Sequence, residues 1–465
     1  MSRTSHSDTT HPVVSARIQR SCKAAAVLAA LACLLAPAWC QTTPVTPATK
    51  PVASLGNSLR RGGGKQLHIL YLHGIASNGP GDFDSWLLRK NICDFLKDCT
   101  TPAGQMDGTE YADQGEFALN APPPNLAYLG QPIWHTDASG ASEEWNASAP
   151  FVVHWKLVRT TGPTIYVDEI NWWPLIFALK CRQIVESDAS LVGPGIAYID
   201  LCSRSAIDPI TPHRFVSYPW IDAPTAQRLK ALPLRGATIN RDLKNGLLDW
   251  GFSDAVLALG PLRTYLLDGI RQVVLKSTYV TQDGTRGDPT APRPNQEFVI
   301  VSHSLGSYLI FSALDDVPAA TSTGGSIPAS QPAAAPFDDI LSRTSVVYFF
   351  ANQLRLLELS NLDFGSGKNM ISHLESWGTL RSSYLQSLPS SEREGLPPPR
   401  IVALNDPSDL LTWTVPDLRT VEVTNLTVKN ATHWFGLIES PNKAHDNYAR
   451  NKALIAQMLK LTKSE

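Results

Sequence analysis

The sequence predicts an α/β fold, and three observations predict it. The first is the β-branched run Phe298-Val299-Ile300-Val301, which ends in Ser302-His303-Ser304-Leu305-Gly306 and passes straight into a helical run over 305–314. The second is the apolar run 66–72, which ends in His73-Gly74-Ile75. Polar and glycine-rich residues then lead to a helical run over 86–96. The third is a pair of further apolar runs, 344–351 and 400–405, each long enough for one buried strand. Buried strands that alternate with helical runs build a sheet covered by helices.

The first element carries the chemistry. Ser304 sits at the apex of a strand-turn-helix unit with the pattern S-x-S-x-G. Such a turn exposes a serine hydroxyl and aims the N-terminal N–H groups of the following helix at it. The usual pattern of this elbow is G-x-S-x-G, whose glycines let strand and helix backbones pass closely. Gly306 supplies the second glycine, and Ser307 keeps the next position small. Ser302 replaces the first glycine. The plain alternative is a strand-to-helix connection with a capping serine.

Further along, residues 400–405 form a strand followed by Asp406-Pro407-Ser408-Asp409. Asp406 precedes a proline and suits a turn that hydrogen-bonds to its own backbone. Asp409 lies just before the apolar pair Leu410-Leu411. Near the end, Pro441-Asn442-Lys443-Ala444-His445 forms a loop before a helical run over 448–461. His433, closer to the expected strand 420–428, is the rival histidine.

Taken in chain order, His73-Gly74, Ser304, Asp409 and His445 resemble the α/β-hydrolase superfamily, whose triad runs Ser, Asp or Glu, His. The resemblance covers about residues 65–100 and 262–465. It implies a mostly parallel sheet flanked by helices, with a large inserted cap region. It implies Ser304 as nucleophile, His445 as base and Asp409 as acid, with Asp406 as the alternative acid. It further implies an oxyanion hole from the backbone N–H groups of Leu305 and Ile75, shaped by Gly306, His73 and Gly74. The implied activity is hydrolysis of carboxylic esters, in the manner of a lipase or esterase, with no metal and no organic cofactor. An acyltransferase or amidase would use the same residues. A non-catalytic binding protein on the same fold is a different class of reading.

Bulk properties narrow the setting. The chain has 465 residues, 43% hydrophobic and 18% charged, with net charge −2. No basic stripe suggests a nucleic-acid partner. Arg17, Arg20 and Lys23 precede an apolar run, 24–35, too short for a comfortable span of about 20 residues. Ala36-Pro37-Ala38 follows as a small-residue cleavage site. Residues 1–40 are therefore expected to be a signal peptide or N-terminal membrane anchor, which places the product in the periplasm or outside the cell. Outside this leader the cysteines are Cys93, Cys99, Cys181 and Cys202. The local pairings Cys93–Cys99 and Cys181–Cys202 suit an oxidising compartment, with free thiols as the alternative.

Residues 41–64 are rich in Thr, Pro and Gly and read as a flexible linker to a domain over 65–465. The long separation of His73 from Ser304 implies an insertion at about 101–255. It holds Trp134, Trp145, Trp155, Trp172, Trp173, Trp220 and Trp250. Within it, 151–158 and 164–172 read as a hairpin, and 175–186 and 223–232 as helices. A lid over the serine, suited to an acyl chain or a membrane surface, is one reading of the tryptophans. Filling of the insertion's own core is the other. The expected partner is a small-molecule or lipid ester substrate, with membrane association through the N-terminus or this aromatic segment.

Overall fold

The computed structural model describes residues 66–74, 85–100, 105–111, 132–136, 142–146, 148–203, 219–278, 296–315, 334–359, 369–393, 396–430 and 441–459, and the single residues 55, 58 and 129. All of them belong to one unit, Pro51–Glu465. The expected leader and most of the linker lie outside the described residues.

The strands are β1 Gln66–Leu72, β2 Gln105–Tyr111, β3 Pro132–Thr136, β4 Ser142–Asn146, β5 Phe151–Leu157, β6 Thr164–Asn171, β7 Gln296–His303, β8 Thr344–Phe350, β9 Arg400–Asn405 and β10 Glu422–Thr427. Eight of them form one sheet in the order β10-β9-β8-β7-β1-β6-β5-β2, and β3 and β4 form a separate two-stranded ribbon. From β10 to β6 all neighbours are parallel; β5 alone runs against both of its neighbours. The architecture is α/β, with a mostly parallel open sheet and flanking helices.

Burial explains which strands lie centrally. Every residue of β1, β7 and β8 is buried. Strands this apolar on both sides belong inside a parallel sheet covered on both faces. The edge strand β10 reads Glu-Val-Thr-Asn-Leu-Thr, and each of its residues is exposed or half-buried. Polar residues on an edge discourage pairing with other chains.

The two faces are covered differently. Leu70, Leu72, Ile300 and Val347 face a cluster completed by the helices Arg263–Thr278, Leu305–Asp315 and Met370–Ser387. Ile69, Tyr71, Val299 and Val301 face a second cluster, where Leu88 and Ile92 of the helix Ser85–Leu96 meet Leu454, Ile455 and Met458 of the helix Lys452–Leu459. Each large side chain buried this way contributes about 1.5–3 kcal/mol.

The segment expected to be an insertion divides into two parts. Three of its strands join the main sheet, while β3 and β4 keep to their own ribbon: β6 lies directly beside β1, and β5 and β2 extend the sheet to its edge. Hairpin periodicity reveals two strands but not the sheet they join, which is why the sequence left them in the insertion. The other part is mostly helical in its described residues, from the helix Trp173–Leu179 to the helix Ser253–Leu259. The α-turns Trp173–Leu179 pass into a π-helical stretch, Lys180–Val185, and a second π-helical stretch covers Lys244–Phe252. Trp172, Trp173, Trp220 and Trp250 are buried in the same apolar cluster as the adjoining sheet face. These four tryptophans thus extend the core. Trp155 instead carries the Arg89 guanidinium 3.2 Å from its ring centre. Burial lowers the pKa of this arginine to about 9, against the opposing pull of Glu169.

Cys93 pairs with Cys99 and Cys181 with Cys202. Among the described residues, no helix is long and apolar enough to cross a membrane, and no group of His, Cys, Asp and Glu is arranged to hold a metal ion.

Candidate active site

The chain lays β6 on one side of β1 and later β7 on the other. In open α/β sheets, the crevice beyond the carboxyl ends at such a reversal is where ligands bind. β1 ends there just before His73-Gly74, and β7 just before Ser304.

Ser304 has φ +54°. A residue with a Cβ rarely adopts this region; doing so costs on the order of 1–3 kcal/mol and persists only where the surroundings enforce it. They do so here. The Ser304 N–H donates to the Phe350 carbonyl of β8 at 2.8 Å, and the Ser307 N–H donates to the Ser304 carbonyl at 3.1 Å. The helix Leu305–Asp315 packs tightly across the end of β1: a Cβ on Gly306 would stand 2.5 Å from the His73 carbonyl oxygen. A Cβ on Gly74 would stand 2.6 Å from the Ser304 Cβ. Ser302 is fully buried, and its hydroxyl donates to the Ser307 Oγ at 3.1 Å. The serine that replaces a glycine thus ties strand to helix across the turn.

His445 Nε2 lies 3.1 Å from Ser304 Oγ. Its other nitrogen, Nδ1, lies 3.0 Å from each carboxylate oxygen of Asp409. With Nδ1–H donating to Asp409, Nε2 is left to accept the serine hydrogen. The expected loop position of His445 is replaced by a short helix, Pro441–Asp446, and the final helix begins only at Lys452. Tyr448, expected to open that helix, lies in the intervening turn.

The two aspartates separate. Asp409 follows β9 and accepts from the Leu411 N–H at 2.9 Å and from the Tyr448 hydroxyl at 3.3 Å, besides His445. Asp406 holds the turn: it accepts from the Ser408 N–H at 2.9 Å and the Asn430 N–H at 2.5 Å. Asn430 in turn donates from its side chain to the Ala444 carbonyl at 3.0 Å. Asp406 therefore anchors the backbone beside His445, while Asp409 touches its ring. Tyr448 bridges both, since its oxygen also accepts the Asp406 N–H at 2.8 Å. Burial, followed by the charge of Asp409, pushes the Tyr448 phenol well above its ordinary range, so it stays a neutral donor.

Two more histidines line the site. His303 Nε2–H donates to the His445 carbonyl at 2.8 Å, and its ring lies 4.9 Å from that of His445. Burial, followed by the neighbouring His445, lowers its pKa to about 3. His73 stacks on Trp172, whose indole N–H donates to the His73 carbonyl at 3.0 Å. Burial lowers the His73 pKa to about 4, against a hydrogen bond from its Nδ1–H to the Gly74 carbonyl. Both rings are neutral at neutral pH.

Of the residues singled out in the sequence, Ser304, His445 and Asp409 are brought into one chain of contacts, with Gly306, His73 and Gly74 around the elbow. Leu305 is the first residue of its helix, where backbone N–H groups lack intrahelical acceptors. Ile75 and His433 lie outside the described residues. Sequence reasoning missed Gln353, whose side-chain N–H donates to Ser304 Oγ at 2.6 Å. The available signal was its place: an uncharged amide pair, Asn352-Gln353, at the carboxyl end of the strand beside β7. Tyr448 and His303 were likewise visible only as residues near the motifs.

Protein-family models, curated proteins and solved structures yield no match to this chain.

Proposed function

We propose that this chain is a serine hydrolase of carboxylic esters, built on an α/β-hydrolase-like fold. The observation that carries the reading is the relay itself: a serine on a left-handed elbow, 3.1 Å from an imidazole whose other nitrogen faces a buried carboxylate. The order of strand ends supports it. The nucleophile follows a central strand, the acid follows β9, and the histidine precedes the last helix.

The chemistry follows from those contacts. His445 Nε2 takes the Ser304 hydrogen as Oγ bonds to the ester carbonyl carbon. Negative charge passes to the carbonyl oxygen, toward the N–H of Leu305 at the helix start. Asp409 keeps the proton on Nδ1 and stabilises the imidazolium. When the tetrahedral species collapses, the carbon–oxygen bond to the leaving alcohol breaks and His445 returns the proton to that alcohol. Water, activated by the same imidazole, then releases the acid. An exported location fits the two disulfides and the leader-like N-terminus.

The test is turnover of p-nitrophenyl esters of increasing acyl length, alongside the matched anilides and an added alcohol acceptor. Ester hydrolysis that Ser304→Ala abolishes is the expected result. Faster transfer to the alcohol than to water would favour an acyltransferase, and faster anilide cleavage an amidase. Absence of any Ser304-dependent turnover would favour a binding protein.

A further inference from the structure

We propose that the side-chain amide of Gln353 is an oxyanion donor of this site. The inference rests on the serine-hydrolase reading above.

β8 lies beside β7 and ends at Phe350. The next residue, Ala351, has φ +49°, the same left-handed region as Ser304. Such a conformation in a Cβ-bearing residue persists only where neighbours enforce it, and such strain clusters at functional sites. Here the neighbours are explicit. The Ala351 N–H donates to the Leu404 carbonyl at 3.3 Å, and the Trp413 N–H donates to the Asn352 carbonyl at 2.8 Å. The Asn352 side chain donates to the Trp413 carbonyl at 3.0 Å and accepts from the Leu354 N–H at 3.0 Å. The turn is thereby fastened to β9 and to the segment that follows Asp409. What emerges from it is Gln353.

Gln353 is 3% exposed and stands at the start of the helix Leu354–Glu358, yet its side chain makes no capping hydrogen bond to that helix. It points to the nucleophile instead. A carboxamide could offer Oγ either its NH₂ or its oxygen. With the serine hydrogen directed to His445, only the NH₂ fits. Oγ thus donates to one neighbour and accepts from the other.

That arrangement changes during attack. Once Oγ bonds to the carbonyl carbon it becomes a poorer acceptor, while charge accumulates on the oxygen attached to the same carbon. A donor already touching Oγ is one bond angle from that oxygen. Gln353 then follows the charge, and it does so from a buried position, where a fixed dipole is worth more than in water. The hole would combine one backbone donor, Leu305, with one side-chain donor from the neighbouring strand end.

The test compares Gln353→Met, which keeps length but lacks a donor, with Gln353→Ala and Ser304→Ala, on a matched oxoester and thionoester. The C=S group is a poor hydrogen-bond acceptor. Removing one oxyanion donor is expected to lower kcat on the oxoester about 10²–10³-fold, with KM little changed and a much smaller loss on the thionoester. Melting temperatures show whether either variant is misfolded; Gln353→Met preserves the packing if Gln353→Ala does not. Equal losses on both esters, or no loss, would overturn the oxyanion role and leave the hydrolase reading intact. Absence of Ser304-dependent turnover in the wild type would overturn both.

Discussion

Gly306 lies so close to the end of β1 that a methyl group on it would stand 2.5 Å from the His73 carbonyl oxygen and 2.6 Å from that of Leu72. Both obstacles are backbone, which cannot swing aside. Gly306→Ala must therefore push the helix Leu305–Asp315 away from the sheet. Overpacking of this kind costs about 1–3 kcal/mol, and the shift moves Ser304 relative to His445. On the proposed serine-hydrolase reading, the expected outcome is a lower urea midpoint together with a loss of ester turnover larger than the loss of folded protein. An alanine variant with wild-type stability and rate would show that the elbow is looser than this contact implies.

Asp409 and Asp406 are expected to behave differently. Asp409→Asn removes the carboxylate that holds the His445 tautomer, and kcat should fall by about 10⁴-fold with little loss of stability. Asp406→Asn should instead lower stability first, because its oxygens accept the N–H groups of Ser408 and Asn430. Steady-state kinetics and thermal melts on both variants check the division. The reverse pattern would make Asp406 the acid.

Tyr448→Phe leaves the Asp406 N–H without its acceptor and removes one donor from Asp409. An unpaired buried donor costs about 1–3 kcal/mol. A lower denaturant midpoint is expected, with kcat reduced less than in Asp409→Asn. A fall in kcat as deep as that of Asp409→Asn would mean the phenol takes a direct part in the reaction.

Acid should weaken the fold through His73 and His303. Their folded pKa values, about 4 and about 3, lie below the ordinary 6.5 because burial disfavours the charged ring. The unfolded chain binds these protons below pH 6.5 and the folded chain does not. Stability is then full above pH 6.5 and falls as pH drops toward 4, by up to a few kcal/mol per histidine. Denaturant midpoints between pH 7.5 and 4.5 are the measurement. His303→Gln keeps a donor for the His445 carbonyl but removes one titrating ring, so it should flatten the slope. An unchanged slope would rule out His303 as a contributor.

Reduction should reveal the unequal value of the two disulfides. Cys181–Cys202 closes the longer loop, 21 residues against 6 for Cys93–Cys99. Chain entropy gives about 3 kcal/mol for the first and about 2 kcal/mol for the second. The Cys181→Ser/Cys202→Ser pair is expected to lower the melting temperature more than the Cys93→Ser/Cys99→Ser pair.

The parts of this molecule legible in the sequence are those where one local pattern fixes one local structure. β-branched residues before Ser304 and small residues after it force a strand, a turn and a helix. Asp406 before a proline announces its turn. What stayed hidden depends on long-range pairing. The β5–β6 hairpin is visible as two apolar runs, but its place beside β1 follows from the register Leu70↔Asp168, which no local pattern encodes. Gln353 is the same case in miniature. Its neighbours in the chain are ordinary, and its role arises because β8 lies against β7. The π-helical stretches also escaped: that at 180–185 has the composition of any helix, and that at 244–252 carries Gly246 and Gly251, which locally disfavour a helix.

The most direct measurement is intact-mass analysis after exposure to a fluorophosphonate, which captures a serine only if a neighbouring base has activated it. A single phosphonyl adduct on the wild type, mapped to Ser304, lost in Ser304→Ala and strongly slowed in His445→Ala, is the result expected. An unmodified wild-type chain, or an adduct that persists in Ser304→Ala, would contradict the account.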